Sequence, residues 1–248
     1  MKERLDKAAH AASFDGVAAV YDASRPGYPA DAVEWLVPPD AARIADIGAG
    51  TGKFTRALQR DGRTVVAIDP SPNMLEMLAR TLPHVEAQRG SAEQIPLPDA
   101  SMDAVTFAQA WHWVDKERAS IEAARVLRPG GTMGLVWNLR DERVDWVRRL
   151  GIAMHADGDQ FTDGANDPDV RRPFGEPDRA QFEWAAEYTP DGLLDLVCSR
   201  SYYALMPAGD QRDTLAAVRE LIRSHPQTAG RETVSLPYVT VCYRYRVR

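Results

Sequence analysis

The chain has 248 residues, with 30 Lys and Arg against 36 Asp and Glu, and a formal charge of −6. That balance gives a nucleic acid or an anionic membrane no general electrostatic help, and two cysteines, Cys198 and Cys242, are too few for a disulfide framework or a zinc site and suit a reducing, cytoplasmic compartment. An apolar share of 44% supports a sizeable core, no run approaches the roughly 20 apolar residues of a membrane span, and the charged start "MKERLDKAAHAASFDG" lacks a signal peptide's apolar centre.

Strand-like and helix-like segments alternate through the first half. "RIADI" (43–47) is a short apolar run that reads as a buried strand. "KFTRALQRD" (53–61) places Phe54, Ala57 and Leu58 at helical offsets, and "TVVAID" (64–69) is β-branched and reads as the next strand. In "SPNMLEMLARTL", Ser71 is a natural N-cap and Pro72 fits the first helical position. "HVEAQRG" (84–90) is a weaker strand and "MDAVTFAQ" (102–109) a better one. "VDKERASIEAARVLRPGG" predicts a helix capped by Asp115, with Ile121, Ala124 and Leu127 on one face and Pro129-Gly130-Gly131 as a stop. "TMGLVWN" (132–138) is a further buried strand. Such alternation implies a parallel sheet covered by helices, with ligands beyond the carboxyl ends of the strands.

The second half differs. "DWVRRLGIAM" (145–154) reads as helix, and 157–178, rich in Asp, Gly and Pro, as an irregular insertion. "QFEWAAEYT" (181–189) reads as strand, followed by helical segments broken near Pro207 and Gly209. In "LPYVTVCYRYRVR", Val239, Val241, Tyr243, Tyr245 and Val247 alternate with Thr240, Cys242, Arg244, Arg246 and Arg248, which predicts a half-buried edge strand with a solvated arginine face.

"IADIGAGTGKFT" (44–55) sets Gly48, Gly50 and Gly52 directly after the first strand. The dinucleotide fingerprint G-x-G-x-x-G has a third glycine where this chain has Lys53. Asp46, two residues before the first glycine, is awkward for a pyrophosphate and suits an ammonium-bearing ligand. Asp69 closes the second strand, where a carboxylate accepts ribose hydroxyls, although it would do so for NAD as well.

"DIGAGTG", the acid ending the second strand, "GSAEQIPLPDASMDAV" and "LRPGG" together resemble the class I S-adenosylmethionine (SAM) dependent methyltransferases over roughly residues 40–140. "VYDASRPGYP", "AQAWHWVD" and the closing "LPYVTVCYRYR" are similar to the small-molecule branch called methyltransferase type 11, whose relatives include trans-aconitate methyltransferase-like proteins. The resemblance implies an α/β, Rossmann-like, seven-stranded and mostly parallel sheet, helices on both faces and a C-terminal antiparallel strand. It implies one domain over 1–248, with an N-terminal lid (1–40), a SAM-binding core (41–140) and C-terminal strands holding a helical acceptor-side insertion (141–248). Asp46, Gly48, Ala49, Gly50 and Gly52 would hold the methionine and ribose part of SAM. Asp69 would bind the ribose hydroxyls, Pro70 and Ser71 would line the adenine, Ala92 and Glu93 would sit beside its ring, and Gln109 and Ala110 would close the pocket. Tyr21, Arg25 and Tyr28 would shape a lid over the cofactor, with Arg25 pairing a carboxylate of SAM or of the acceptor. His112, between Trp111 and Trp113, would serve as general base or donor, with the rings offered to the sulfonium, and Asn138 and Arg140 are weaker acceptor-side candidates.

Methyl transfer from a sulfonium is an in-line displacement in which positioning and exclusion of water do most of the work. A base is needed only for an acceptor that arrives protonated. The expected partner is a small-molecule acceptor, with no nucleic acid, membrane or metal, and with a monomer or homodimer. A nicotinamide-dependent oxidoreductase and a non-catalytic SAM-binding module are the competing readings.

Overall fold

Residues 25–154, 165 and 167–247 are described, from a computed structural model. The first strand, β1 (Arg43–Ile47), is buried at every position but Arg43, as an apolar run inside a parallel sheet must be. It pairs in parallel with β2 (Thr64–Asp69) on one side and with β4 (Met102–Ala108) on the other. β3 (Glu86–Arg89) extends β2, and β5 (Leu127–Arg140) extends β4, both in parallel. With β6 (Asp178–Tyr188) and β7 (Val234–Arg246) the order is β3-β2-β1-β4-β5-β7-β6, a seven-stranded sheet whose last pair is antiparallel.

Helices α1 (Ala30–Leu36), α2 (Lys53–Leu58), α3 (Pro72–Thr81) and α4 (Lys116–Val126) belong to the first half of the chain. Two of them start on the expected caps: Ser71 Oγ accepts from Met74 N at 3.3 Å, and Asp115 Oδ1 from Arg118 N at 3.1 Å. Each such cap is worth about 1 kcal/mol. Helices α5 (Asp145–Ala153), α6 (Pro190–Cys198), α7 (Ser201–Ala204) and α8 (Ala208–Ser224) follow in the second half.

Contacts divide the chain into two units. One comprises the described residues of 27–138, 161–182 and 240–248. Its core joins Ala32, Val33 and Leu36 of α1 to Ile44, Phe54, Leu58, Ala104, Val136 and Cys242. The other comprises the described residues of 1–26, 139–160 and 183–239. There Trp146, Val147 and Leu150 of α5 pack with Leu193, Leu196 and Val197 of α6, Val218 and Ile222 of α8, and Leu236 and Tyr238 of β7.

Four expectations are corrected. The buried face of α4 carries Ala119, Ser120, Ala123 and Val126, while Ile121 is 54% exposed. Small residues are the ones that bring this helix close to its neighbours, and the bulkier Ile121 is turned outward. Pro129-Gly130-Gly131 does not separate helix from strand, because extended backbone begins at Leu127. Gly209 lies within α8, whose N-cap is Pro207, and a further break falls at Ser199 and Arg200 between α6 and α7. Finally, β7 is an interior strand between β5 and β6, buried on both faces from Thr240 to Tyr243. Its Arg244 is not a solvated edge residue. The guanidinium lies 4.6 Å from the Trp35 ring centre, and Nη1 donates to the Trp35 carbonyl at 2.8 Å. Among the described residues, no helix is long and apolar enough to cross a membrane.

Candidate cofactor site

The glycine loop runs from the carboxyl end of β1 into α2. All three glycines have left-handed backbone, with φ of +70, +56 and +89 at Gly48, Gly50 and Gly52, which a side chain would strain. Their surroundings separate their roles. A Cβ on Gly48 would fall 2.7 Å from Ala110 Cβ, and one on Gly52 would fall 2.9 Å from both Leu78 Cγ and Leu82 Cδ1. At Gly50 a Cβ would meet nothing within 4 Å. Gly52 thus lets α2 pack on α3, the task of the third glycine in a dinucleotide fingerprint, and Gly50 faces open space.

The loop's amides point inward. Gly48 N and Ala49 N both donate to Ile68 O, at 2.8 and 3.1 Å, and Gly52 N donates to Ala49 O at 3.0 Å. Gly50 N donates to Asp69 Oδ2 at 2.8 Å. A pyrophosphate site needs such N–H groups turned toward the ligand. This loop has spent three of them on Ile68 and Asp69 of β2 and one on its own Ala49, and it presents carboxylate instead.

Asp69, at the end of β2, is 7% exposed. Its Oδ1 accepts from Ser71 N at 2.9 Å and its Oδ2 from Gly50 N. Burial pushes its pKa up, and the two backbone donors pull it partly back. Each oxygen keeps a lone pair in reserve, so the pair fits two neighbouring hydroxyls. Asp46 is fully buried beneath the loop. Thr55 Oγ1 donates to its Oδ2 at 2.7 Å, and Thr106 Oγ1, the registered neighbour on β4, donates to its Oδ1 at 3.1 Å. Burial raises the Asp46 pKa to about 7, the two hydroxyls oppose this, and the nearby charge of Asp69 adds to it.

The other expected residues divide. Pro70 is exposed, and Ser71 is committed to its cap. Ala92 is buried and Glu93 is half-buried, with Oε1 accepting from Asp115 N at 2.8 Å at the start of α4. Gln109 has φ +55, a left-handed conformation uncommon outside glycine, at the end of β4. Its Nε2 donates to Asn138 O at 3.0 Å. Asn138 Nδ2 donates to Gly27 O at 2.8 Å, and its Oδ1 accepts from Thr240 Oγ1 at 2.6 Å. Ala110 is the residue that Gly48 leaves room for.

Trp111 is fully buried, edge-on to Phe107 with ring centres 4.9 Å apart, and its Nε1 donates to Pro168 O. It is packing, not an open ring for a sulfonium. His112 is half-buried, its ring 4.8 Å from that of Trp113. Tyr28 sits edge-on to Phe54 at 4.8 Å and packs on the core. Arg25 belongs to the other unit, where Nε donates to Ser199 Oγ at 3.1 Å and Nη2 to Ser199 O at 3.2 Å. Tyr21 lies outside the described residues. Sequence reading missed Thr55 and Thr106 as partners of Asp46. Only the register of β4 against β1, which no local pattern gives, places Thr106 there. Among the described residues, no group of three or more His, Cys, Asp or Glu is placed to hold a metal ion.

A parallel sheet with a glycine loop and two acids at the ends of adjacent strands defines a nucleoside-binding α/β enzyme fold. The comparisons narrow this. The model of the methyltransferase domain family matches residues 45–135. An uncharacterized methyltransferase of Mycobacterium tuberculosis is 51% identical over 232 residues, 94% of each chain. A solved structure from Anaeromyxobacter dehalogenans, described as a type II methyltransferase, superposes with a TM-score of 0.69 at 26% identity, covering 90% of this chain and 97% of that one. A malonyl-[acyl-carrier protein] O-methyltransferase of Serratia marcescens is 33% identical over 136 residues, 53% of each chain. The chain belongs to the class I SAM-dependent methyltransferases. The nicotinamide alternative falls with this result, as the inward amides of the loop require.

Proposed function

We propose that the protein transfers the methyl group of SAM to an oxygen of a small-molecule acceptor, a carboxylate or a hydroxyl. The observation that carries the cofactor half of this reading is the exchange of donors for acceptors around the glycine loop. Amides that would hold a phosphate are used internally, while Asp69 offers paired lone pairs beside the open face of Gly50. Asp69 would take the ribose hydroxyls, and Gly48, Ala49 and Gly50 would let the backbone approach. Asp46 acts from beneath, holding α2 and β4 to β1 through Thr55 and Thr106. Pro70, Ser71, Ala92 and Glu93 would border the adenine, and Gln109 and Ala110 would close the pocket. When bound, SAM supplies an electrophilic methyl group on a sulfonium. The chain's task is then to align the acceptor oxygen and exclude water.

The O-methyltransferase name of the Serratia relative supports oxygen as the acceptor atom. A carboxylate needs no base. For a hydroxyl, His112 beyond the end of β4 would take the proton, and Tyr21, Arg25 and Tyr28 would serve the acceptor and the methionyl carboxylate.

Calorimetric titration with S-adenosylhomocysteine tests this reading, with NADH as control. We expect binding of the first and none of the second, and about a hundredfold loss in Asp69→Ala, the size of two charge-assisted hydrogen bonds. NADH binding overturns the SAM reading, and unchanged affinity in Asp69→Ala overturns the ribose assignment.

A further inference from the structure

Away from the glycine loop, in the unit that holds α5 to α8, polar groups are buried without the partners that burial demands. Tyr188 ends β6 and Tyr238 lies on the neighbouring β7. Tyr238 is 1% exposed, and its hydroxyl and that of Tyr188 have no hydrogen-bond partner other than, at most, each other. The two phenols lie close enough to raise the Tyr188 pKa between them and burial. Even a bond shared by the pair would leave one proton unmet. Arg200, between α6 and α7, buries an Nε that also lacks an acceptor. Both Arg200 and Arg25 act on Tyr188 as nearby positive charges, with Arg25 held in place on Ser199.

A buried hydroxyl left unsatisfied costs about 1–3 kcal/mol. Native chains rarely carry two side by side, and those that do need a reason such as a ligand. The phenol oxygens can accept as well as donate, but their O–H groups and a guanidinium N–H are short of acceptors here, beside a second cation. The complement is a group that only accepts and carries negative charge. The walls are aromatic, since Trp184 stacks on Tyr238 with ring centres 5.3 Å apart and planes 25° from parallel. That favours an organic body attached to the anion over a bare inorganic ion.

We infer that Tyr188, Tyr238, Arg200 and Arg25 form a binding site, within this one unit, for the carboxylate of a small organic acid. The inference does not depend on the cofactor reading.

The test is calorimetric titration with benzoate, phenylacetate, succinate and citrate, each paired with its neutral amide, with inorganic phosphate as a further control. The titrations are run with and without S-adenosylhomocysteine. We expect at least one carboxylate to bind and its amide not to. Tyr188→Phe and Arg200→Gln should each weaken that binding about tenfold or more, as loss of a hydrogen bond to a charged group does, and leave affinity for S-adenosylhomocysteine unchanged. Tyr188→Phe keeps the ring and its packing, so the result does not depend on a disrupted fold. The inference is overturned if no carboxylate binds, if amide or phosphate binds as well, or if the variants bind like the parent chain. Failure of S-adenosylhomocysteine to bind speaks against the cofactor reading alone.

Discussion

The glycine loop and the tyrosine–arginine cluster both bury polar groups, and they treat them in opposite ways. Around the loop every buried oxygen of Asp46 and Asp69 has a donor from the protein itself. In the cluster, Arg200 Nε and at least one of the Tyr188 and Tyr238 hydroxyls keep a buried hydrogen that no protein oxygen accepts. The first arrangement is preorganised: its geometry is fixed before a ligand arrives, and little order remains to be imposed. The second retains a deficit that only a ligand or solvent can fill. A fixed cofactor shared by a whole family suits the first solution, and a ligand particular to one protein suits the second.

The comparison can be broken at its most costly point, Asp46. A carboxyl whose pKa is raised on folding holds its proton more tightly in the native state. The native chain is therefore favoured most below the unfolded value of about 3.9, and the advantage is lost as pH climbs toward about 7. Asp46→Asn removes this dependence together with its coupling to the Asp69 charge, so the difference between the two proteins reports Asp46 and that coupling. Urea unfolding from pH 4 to 8 should show the parent chain losing stability relative to the variant by at most about 4 kcal/mol. A gap that does not change with pH would show that Asp46 is not strained by its burial.

A smaller effect separates two glycines. Gly52→Ala meets both Leu78 and Leu82 and should cost about 2 kcal/mol of stability, with modest change in S-adenosylhomocysteine affinity. Gly50→Ala meets only open space, so its stability cost is near 1 kcal/mol from backbone handedness, while ligand affinity should fall more steeply. Thermal melts and titrations of the two variants check this, and matching losses in both would erase the division of roles. The smallest expected effect is at the cluster. Tyr188→Phe deletes a buried hydroxyl that has no partner other than, at most, Tyr238, so it should raise stability by up to about 1 kcal/mol. Destabilisation would mean that the hydroxyl is structurally engaged.

Legibility followed locality. β1 and β2 are read from sequence to their last residues, because strands buried on both faces are unbroken apolar runs. The Ser71 and Asp115 caps are equally plain, since each cap closes within four residues. The place of Asp69 beside the glycine loop was legible too, because it is the last residue of β2. The hydroxyls that hold Asp46 were not, for Thr106 reaches it only through pairing of distant strands. The ending of the chain misled for a related reason: its alternation is real, but β6 and β5 cover both of its edges. The tyrosine–arginine cluster draws on β6, β7 and the α6–α7 turn, and nothing in any one of those segments announces it.

The 2.7 Å approach that a methyl at position 48 would make to Ala110 works in both directions. Two segments far apart in sequence share one small volume, and whatever one gains the other must give up. Neither position drifts alone: a bulkier residue after the fourth strand is shut out by the loop after the first, and the loop by its neighbour. Variation in lineages that share this geometry is therefore expected to move the two sites together or to leave both small.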